Sequence, residues 1–96
     1  MDDPQITVHG DAANGAYRIA LPGKSGTAEL TWRGDGDVRA ANHTYVPPSM
    51  RGHGIAGRLV RRLVEDAREQ GFKVDPQCSY VAAAFRRHPE WADLQA

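Results

Sequence analysis

The chain has 96 residues, twelve Lys and Arg against twelve Asp and Glu, and one cysteine. This length fits one domain with a modest core, zero formal charge gives no global pull toward nucleic acid or membrane, and a lone cysteine excludes an intrachain disulfide. The acidic start Met1-Asp2-Asp3-Pro4 does not read as a signal peptide and no stretch is long and apolar enough to span a bilayer, so a cytoplasmic protein, monomeric or weakly dimeric, is expected.

Residues 1–4 are expected to be disordered. Ile6 and Val8 then alternate with Thr7 and His9, the period of a half-buried strand. Asn14-Gly15 reads as a tight hairpin turn, because both central positions of a type I′ turn need positive φ. Tyr17, Ile19 and Leu21 alternate with Arg18 and Ala20 up to a break at Pro22-Gly23, and Ala28, Leu30 and Trp32 repeat the pattern. Residues 34–37 read as a second turn. A fourth strand is predicted over 38–46, with Val38, Ala40, Asn42, Thr44 and Val46 on one face. Together these segments make an antiparallel meander.

The spacing predicts a long helix over 54–70. Ile55, Leu59, Val60, Leu63, Val64 and Ala67 form its apolar stripe, and charged residues, Arg62 and Asp66 among them, fill the other face. Gly71 supplies the stop. A short strand over 72–74 follows, which Pro76 either ends or places at a sheet edge, and Ser79 is placed to cap a helix over 80–87. Trp91 and Leu94 are expected to dock the tail. The order predicts an α+β fold: a meander, a crossover helix and a fifth strand parallel to the fourth.

The loop between the fourth strand and the long helix carries the chemistry. Glycine allows backbone geometries and close approaches that other residues resist. The first N–H groups of a helix lack internal partners and lie at the positive end of its dipole, so a glycine loop feeding a helix can hold phosphate oxygens. The alternative is a glycine-rich turn that binds nothing. Gly57-Arg58 stand where a nucleotide hydrolase would place Lys-Ser/Thr, and an antiparallel meander does not suit a dinucleotide fold.

Arg51-Gly52-His53-Gly54-Ile55-Ala56 matches the Arg/Gln-x-x-Gly-x-Gly/Ala signature of the GNAT superfamily of N-acetyltransferases. Asn42-His43-Thr44-Tyr45-Val46-Pro47, the segment Lys73-Val74…Pro76-x-Cys78-Ser79-Tyr80-Val81 and the ending Arg87-His88-Pro89-Glu90-Trp91 resemble a compact, single-domain branch of that superfamily. The resemblance covers about residues 16–96 and implies a minimal GNAT-like fold using acetyl-CoA as co-substrate. Its diphosphate would rest on Arg51, Gly52, His53, Gly54, Ile55, Ala56 and Gly57. Its pantetheine arm would run along Thr44, Tyr45 and Val46, and Arg86 and Arg87 would either reach its phosphates or be solvated surface arginines.

Acetyl transfer needs a neutral amine, a polarised thioester carbonyl and an accepted thiolate. Cys78, between a strand and a helix start, is either a nucleophile with a lowered pKa or a small buried hydrophobe. His43 is either a proton relay for the amine or a structural hydrogen-bonding residue. Tyr80 reads as a packing residue, although superfamily members often use a tyrosine near this helix as an acid. No spacing suggests a metal site, and no aromatic interleaving supports nucleic-acid binding. A full-size GNAT has more helices and strands than this chain can hold, so the acceptor side should be open. The expected activity is acetyl transfer to an amine of a small molecule or protein lysine, with a non-catalytic CoA-binding or interaction module as the alternative.

Overall fold

The computed structural model describes residues 5–96, and the disorder expected for residues 1–4 lies outside them. Five strands form one sheet: β1 (Ile6–Gly10), β2 (Asn14–Ile19), β3 (Ala28–Asp35), β4 (Val38–Tyr45) and β5 (Lys73–Pro76), in the order β1-β2-β3-β4-β5. The first four pair antiparallel, and β5 joins β4 in parallel. Helix α1 (Ile55–Gln70) makes the crossover between them, and α2 (Ser79–Arg87) follows β5. A 3-10 segment over Pro89–Leu94 closes the chain. This is the α+β meander with crossover helix that the alternating and helical periods predict.

Both helices cover one face of the sheet. Tyr17, Ile19, Leu30 and Trp32 meet Leu59, Leu63 and Val64 of α1 and Val81 and Phe85 of α2 in a single buried cluster. Each fully buried aliphatic side chain contributes about 1.5–3 kcal/mol, so truncating Leu63 to Ala is expected to cost about 2–5 kcal/mol. On the other face, Thr7, His9, Arg18, Arg33, His43 and Tyr45 are exposed.

Five local expectations need correction. The first hairpin does not turn at Asn14-Gly15. Gly10 pairs with Gly15, and the turn runs through Asp11, Ala12 and Ala13. The Asp11 carboxylate accepts the N–H groups of Ala13 (2.9 Å) and Asn14 (3.2 Å), which holds the turn there. Gly15 serves close packing instead: a Cβ at this position would stand 2.4 Å from both the His9 carbonyl oxygen and the Trp32 ring. Second, the turn expected over 34–37 is shorter. Gly34 is still in β3, where its N–H donates to the Ala13 carbonyl (2.8 Å) and its missing side chain makes room for Ala12.

Third, β4 does not keep one face along its length. Thr31 pairs with His43 but Trp32 pairs with Ala41, so Asn42 is an extra residue in a bulge. A bulge reverses the alternation. Ala41 is therefore fully buried before it, and Thr44 takes the helix side after it. Fourth, Asp66 is not on a solvent face but 7% exposed. It accepts hydrogen bonds from the Tyr17 hydroxyl (2.7 Å) and Arg62 Nε (3.1 Å), which satisfy a carboxylate that would otherwise be costly to bury. Fifth, Cys78 rather than Ser79 is the N-cap residue of α2.

The parallel ladder ends at Ala41–Pro76, with one further bond from Cys78 N–H to the Ala41 carbonyl (2.8 Å). Past the bulge, β4 runs on without β5 beside it. A gap therefore opens between the strands where α1 and α2 both begin.

Candidate functional site

The path from β4 into α1 is pinned on one side and open on the other. A 3-10 turn over Pro48–Met50 sinks Met50 wholly into the core. The Ser49 hydroxyl donates to the Ser25 carbonyl (2.9 Å), which ties the turn to the β2–β3 loop. Arg51 folds back so that its Nε donates to the Val46 carbonyl (2.9 Å). After this anchor, residues 51–54 are exposed.

Gly52 (φ +83°) and Gly54 (φ +69°) adopt left-handed backbone that side-chain-bearing residues resist. Gly54 is the N-cap of α1, with no side-chain cap and no acid in the first turn. Among the described residues, the N–H groups of Gly54, Ile55, Ala56 and Gly57 have no hydrogen-bond acceptor. Helices ordinarily place Ser, Thr, Asp or Asn at this point. Here the donors are left for something else, at the positive end of a sixteen-residue helix.

Those donors border a cleft of about 200 Å³, lined by Val46, Met50, Arg51, Gly52, Gly54, Ile55, Ala56, Gly57 and Tyr80. Tyr80 closes its far wall, its hydroxyl 3.8 Å from where a Gly57 Cβ would stand. The donor set and open mouth fit the diphosphate of a CoA-type ligand.

Cys78 lies where β4 and β5 part. Its sulfur is 3.5 Å from the Thr44 hydroxyl, and the residue is half-buried. Burial pushes the thiol pKa up. Hydrogen bonding from the Thr44 hydroxyl and from the N–H groups of Val81, Tyr80 and Thr44 outweighs that and leaves it lowered. The Thr44 hydroxyl is the largest of these lowering contacts, and the N–H groups of Val81 and Tyr80 at the start of α2 add to it.

His43 is on the opposite side of β4 from Cys78. It is exposed, on the uncovered sheet face, opposite Thr31 in the ladder. Tyr45 is also exposed, at 44%. His53 is exposed in the loop but does not line the cleft. Arg86 and Arg87 stand in the last turn of α2, roughly 9 Å along the helix from Tyr80, and are not brought to the cleft.

Two contributors escape a sequence reading. Tyr80 reads as packing, yet it walls the cleft; its place two residues into a helix capped by Cys78 is the signal that could have found it. The bulge at Asn42, which sets His43 and Thr44 on opposite faces, leaves no trace in a strand of alternating small and polar residues.

Comparison with known proteins places these features in a family. Residues 16–94 match the model of the GCN5-related N-acetyl-transferase domain. The rice protein (Oryza sativa subsp. japonica) named probable glucosamine 6-phosphate N-acetyltransferase 2 is 38% identical over 85 residues, which cover 88% of this chain and 51% of that protein. The chain thus spans about half the length of this curated relative. The solution structure of a Staphylococcus aureus protein described as GCN5-like superposes with a TM-score of 0.70 at 22% identity, covering 98% of this chain and 91% of that one, and shows the same fold.

Proposed function

The chain belongs to the GCN5-related N-acetyltransferase family, and from that premise we propose that it moves an acetyl group from acetyl-CoA to a primary amine. The observation that carries this reading is the run of unbonded N–H groups at the start of α1, beside the gap where β4 and β5 separate. The diphosphate lies on the 51–57 loop. The pantetheine arm follows the end of β4 past Thr44 and Val46, adding to the strand edge through its amides. Arg86 and Arg87 meet only phosphate groups that extend over α2.

The thioester then comes to rest near Cys78 and Tyr80. When bound, the coenzyme supplies an activated acetyl carbonyl. Cys78 is the proposed acceptor of that acetyl group: its thiolate forms the new carbon–sulfur bond as the old one breaks, and the departing sulfur takes a proton from the Tyr80 hydroxyl. The substrate amine next forms the nitrogen–carbon bond, and the Cys78 sulfur leaves as thiolate. The amine gives up its proton through the β4–β5 gap to exposed His43 on the other face of β4, and exchange with solvent returns His43 and Tyr80 to their starting protonation states. The rice relative's name makes glucosamine 6-phosphate the first acceptor to try.

The test is acetyl-CoA turnover, read as released thiol, across a panel of amino sugars, polyamines and lysine peptides, with intact-mass analysis of the enzyme. The expected result is amine-dependent thiol release and a labile acetyl group on Cys78. Transfer that persists in Cys78→Ala without a covalent adduct restricts the reading to direct transfer. Saturable CoA binding with no turnover on any amine contradicts it in favour of a non-catalytic binding module.

A further inference from the structure

The sheet face without helices holds a larger hollow than the cleft, a trough of about 370 Å³. Ala16 forms its floor, with His9 and Thr31 as register partners on the strands to either side. Thr31 pairs in turn with His43, so this cross-strand row ends on β4 beside the bulge. Asn42, the bulged residue, also lines the trough and directly follows Ala41, whose carbonyl holds the Cys78 N–H.

The trough is flanked by cations. Arg18 and Arg33 stand two residues to either side of the row, and no acidic side chain lines the hollow. Arg18 faces Glu29 at 3.5 Å. Arg33 is exposed, and its side chain has neither ion pair nor hydrogen bond among the described residues, although Asp35 follows it on the same strand. Arg33 lies one strand spacing and two residues from Asn42, roughly 8 Å by ideal sheet geometry.

Building on the acetyl-transfer reading, we propose that this trough seats the acceptor: a small primary amine carrying an anionic group, its anion on Arg33 and its amine beside Asn42 and His43 at the β4–β5 gap. The charge arrangement selects this occupant. A guanidinium fork pairs with phosphate or carboxylate oxygens, and an unpaired one beside a polar hollow discriminates strongly between an amine that carries such a group and one that does not. The 8 Å span suits a molecule of sugar size. The donor then binds on the helix side of β4, the acceptor on the open side, and they meet where the strands part.

The experiment is amide-resolved NMR titration of the full chain saturated with CoA. The probes are glucosamine 6-phosphate, 6-aminohexanoate and glucosamine, which carry a phosphate, a carboxylate and neither. Saturable shifts at Ala16, Thr31 and Arg33 are expected with the anionic probes and none with glucosamine. Arg33→Gln should weaken the binding by roughly tenfold or more. The phosphate and carboxylate arms identify the preferred anion. Absent shifts, shifts confined to the 52–57 amides, or equal affinity in Arg33→Gln overturn the proposal. Arg33 is exposed, so the variant should keep the native spectrum, and shifts at the loop on adding CoA alone show that the donor site works. Failure of that first step strikes the acetyl-transfer reading. Failure of the second alone strikes only the acceptor site.

Discussion

At the scale of single residues, Cys78 and Tyr17 show how position sets chemistry. The Cys78 sulfur gains hydrogen bonds from Thr44 and from the start of α2, so its alkylation rate should rise with a midpoint below that of an ordinary thiol. Thr44→Val removes the largest of the lowering contacts and should move that midpoint upward, read by iodoacetamide kinetics against pH. A midpoint unmoved by the substitution would contradict the role of the hydroxyl. Tyr17 behaves in the opposite sense. Burial first, then its bond to the Asp66 carboxylate, raises its pKa above the ordinary 10.0. The unfolded chain ionises first, so the stabilisation is complete below pH 10 and declines as pH rises beyond it. Tyr17→Phe should cost about 1.5–3 kcal/mol at neutral pH, by leaving Asp66 one donor short, and should flatten the alkaline decline in urea midpoints. Periodicity could name Tyr17 as a core residue. It could not pair it with Asp66, 49 positions away in sequence, because the helical stripe leaves an acid at that position on the charged side.

At the scale of elements, the start of α1 trades stability for open space. Gly57 has ordinary backbone, and an added Cβ would meet only the Tyr80 hydroxyl at 3.8 Å, a normal contact. Gly57→Ala should therefore raise stability by up to about 1 kcal/mol through helix propensity while weakening CoA binding, because the methyl group stands in the cleft. Denaturant midpoints and calorimetry would read the two effects separately. A variant as stable as expected that binds CoA equally well would show that the cleft is not where the ligand lies. Gly54→Ala differs, since its φ of +69° makes the side chain costly by about 1–2 kcal/mol even though the space is empty. The closing 3-10 segment is held by exposed carboxylates. Glu90 bonds to His88, which stacks on Trp91, and Asp93 takes a two-point bond from Arg68. These hydrogen bonds, from His88 and Arg68 respectively, lower both pKa values. Their contribution is therefore present above the ordinary carboxylate range and lost as pH falls through it. Protection factors of the amides over 90–95, taken relative to the intrinsic exchange rate at each pH, should fall on acidification before those of α1 do.

At the scale of the whole molecule, strands, helices and their order were legible because apolar residues recur at the periods of the elements they form. The glycine loop was legible because Gly52 and Gly54 directly precede a helix start that has no capping side chain. What stayed hidden depends on pairing between distant segments. The first turn is held at Asp11–Ala13 by the Asp11 carboxylate while Gly15 admits the Trp32 ring, and the bulge at Asn42 exists only in the register between β3 and β4. That bulge organises the molecule: it turns Thr44 toward Cys78 and the helices while His43 faces the uncovered sheet. With both helices on one face, the proposed donor and acceptor sides are divided by a single strand. The most direct measurement is an amide-resolved titration of the free protein with CoA. Saturable shifts should be largest over 52–57 and extend through Thr44 to Cys78. Amides over 52–57 that stay unmoved at saturating CoA, or shifts centred on another part of the fold, would contradict a diphosphate held by the opening N–H groups of α1.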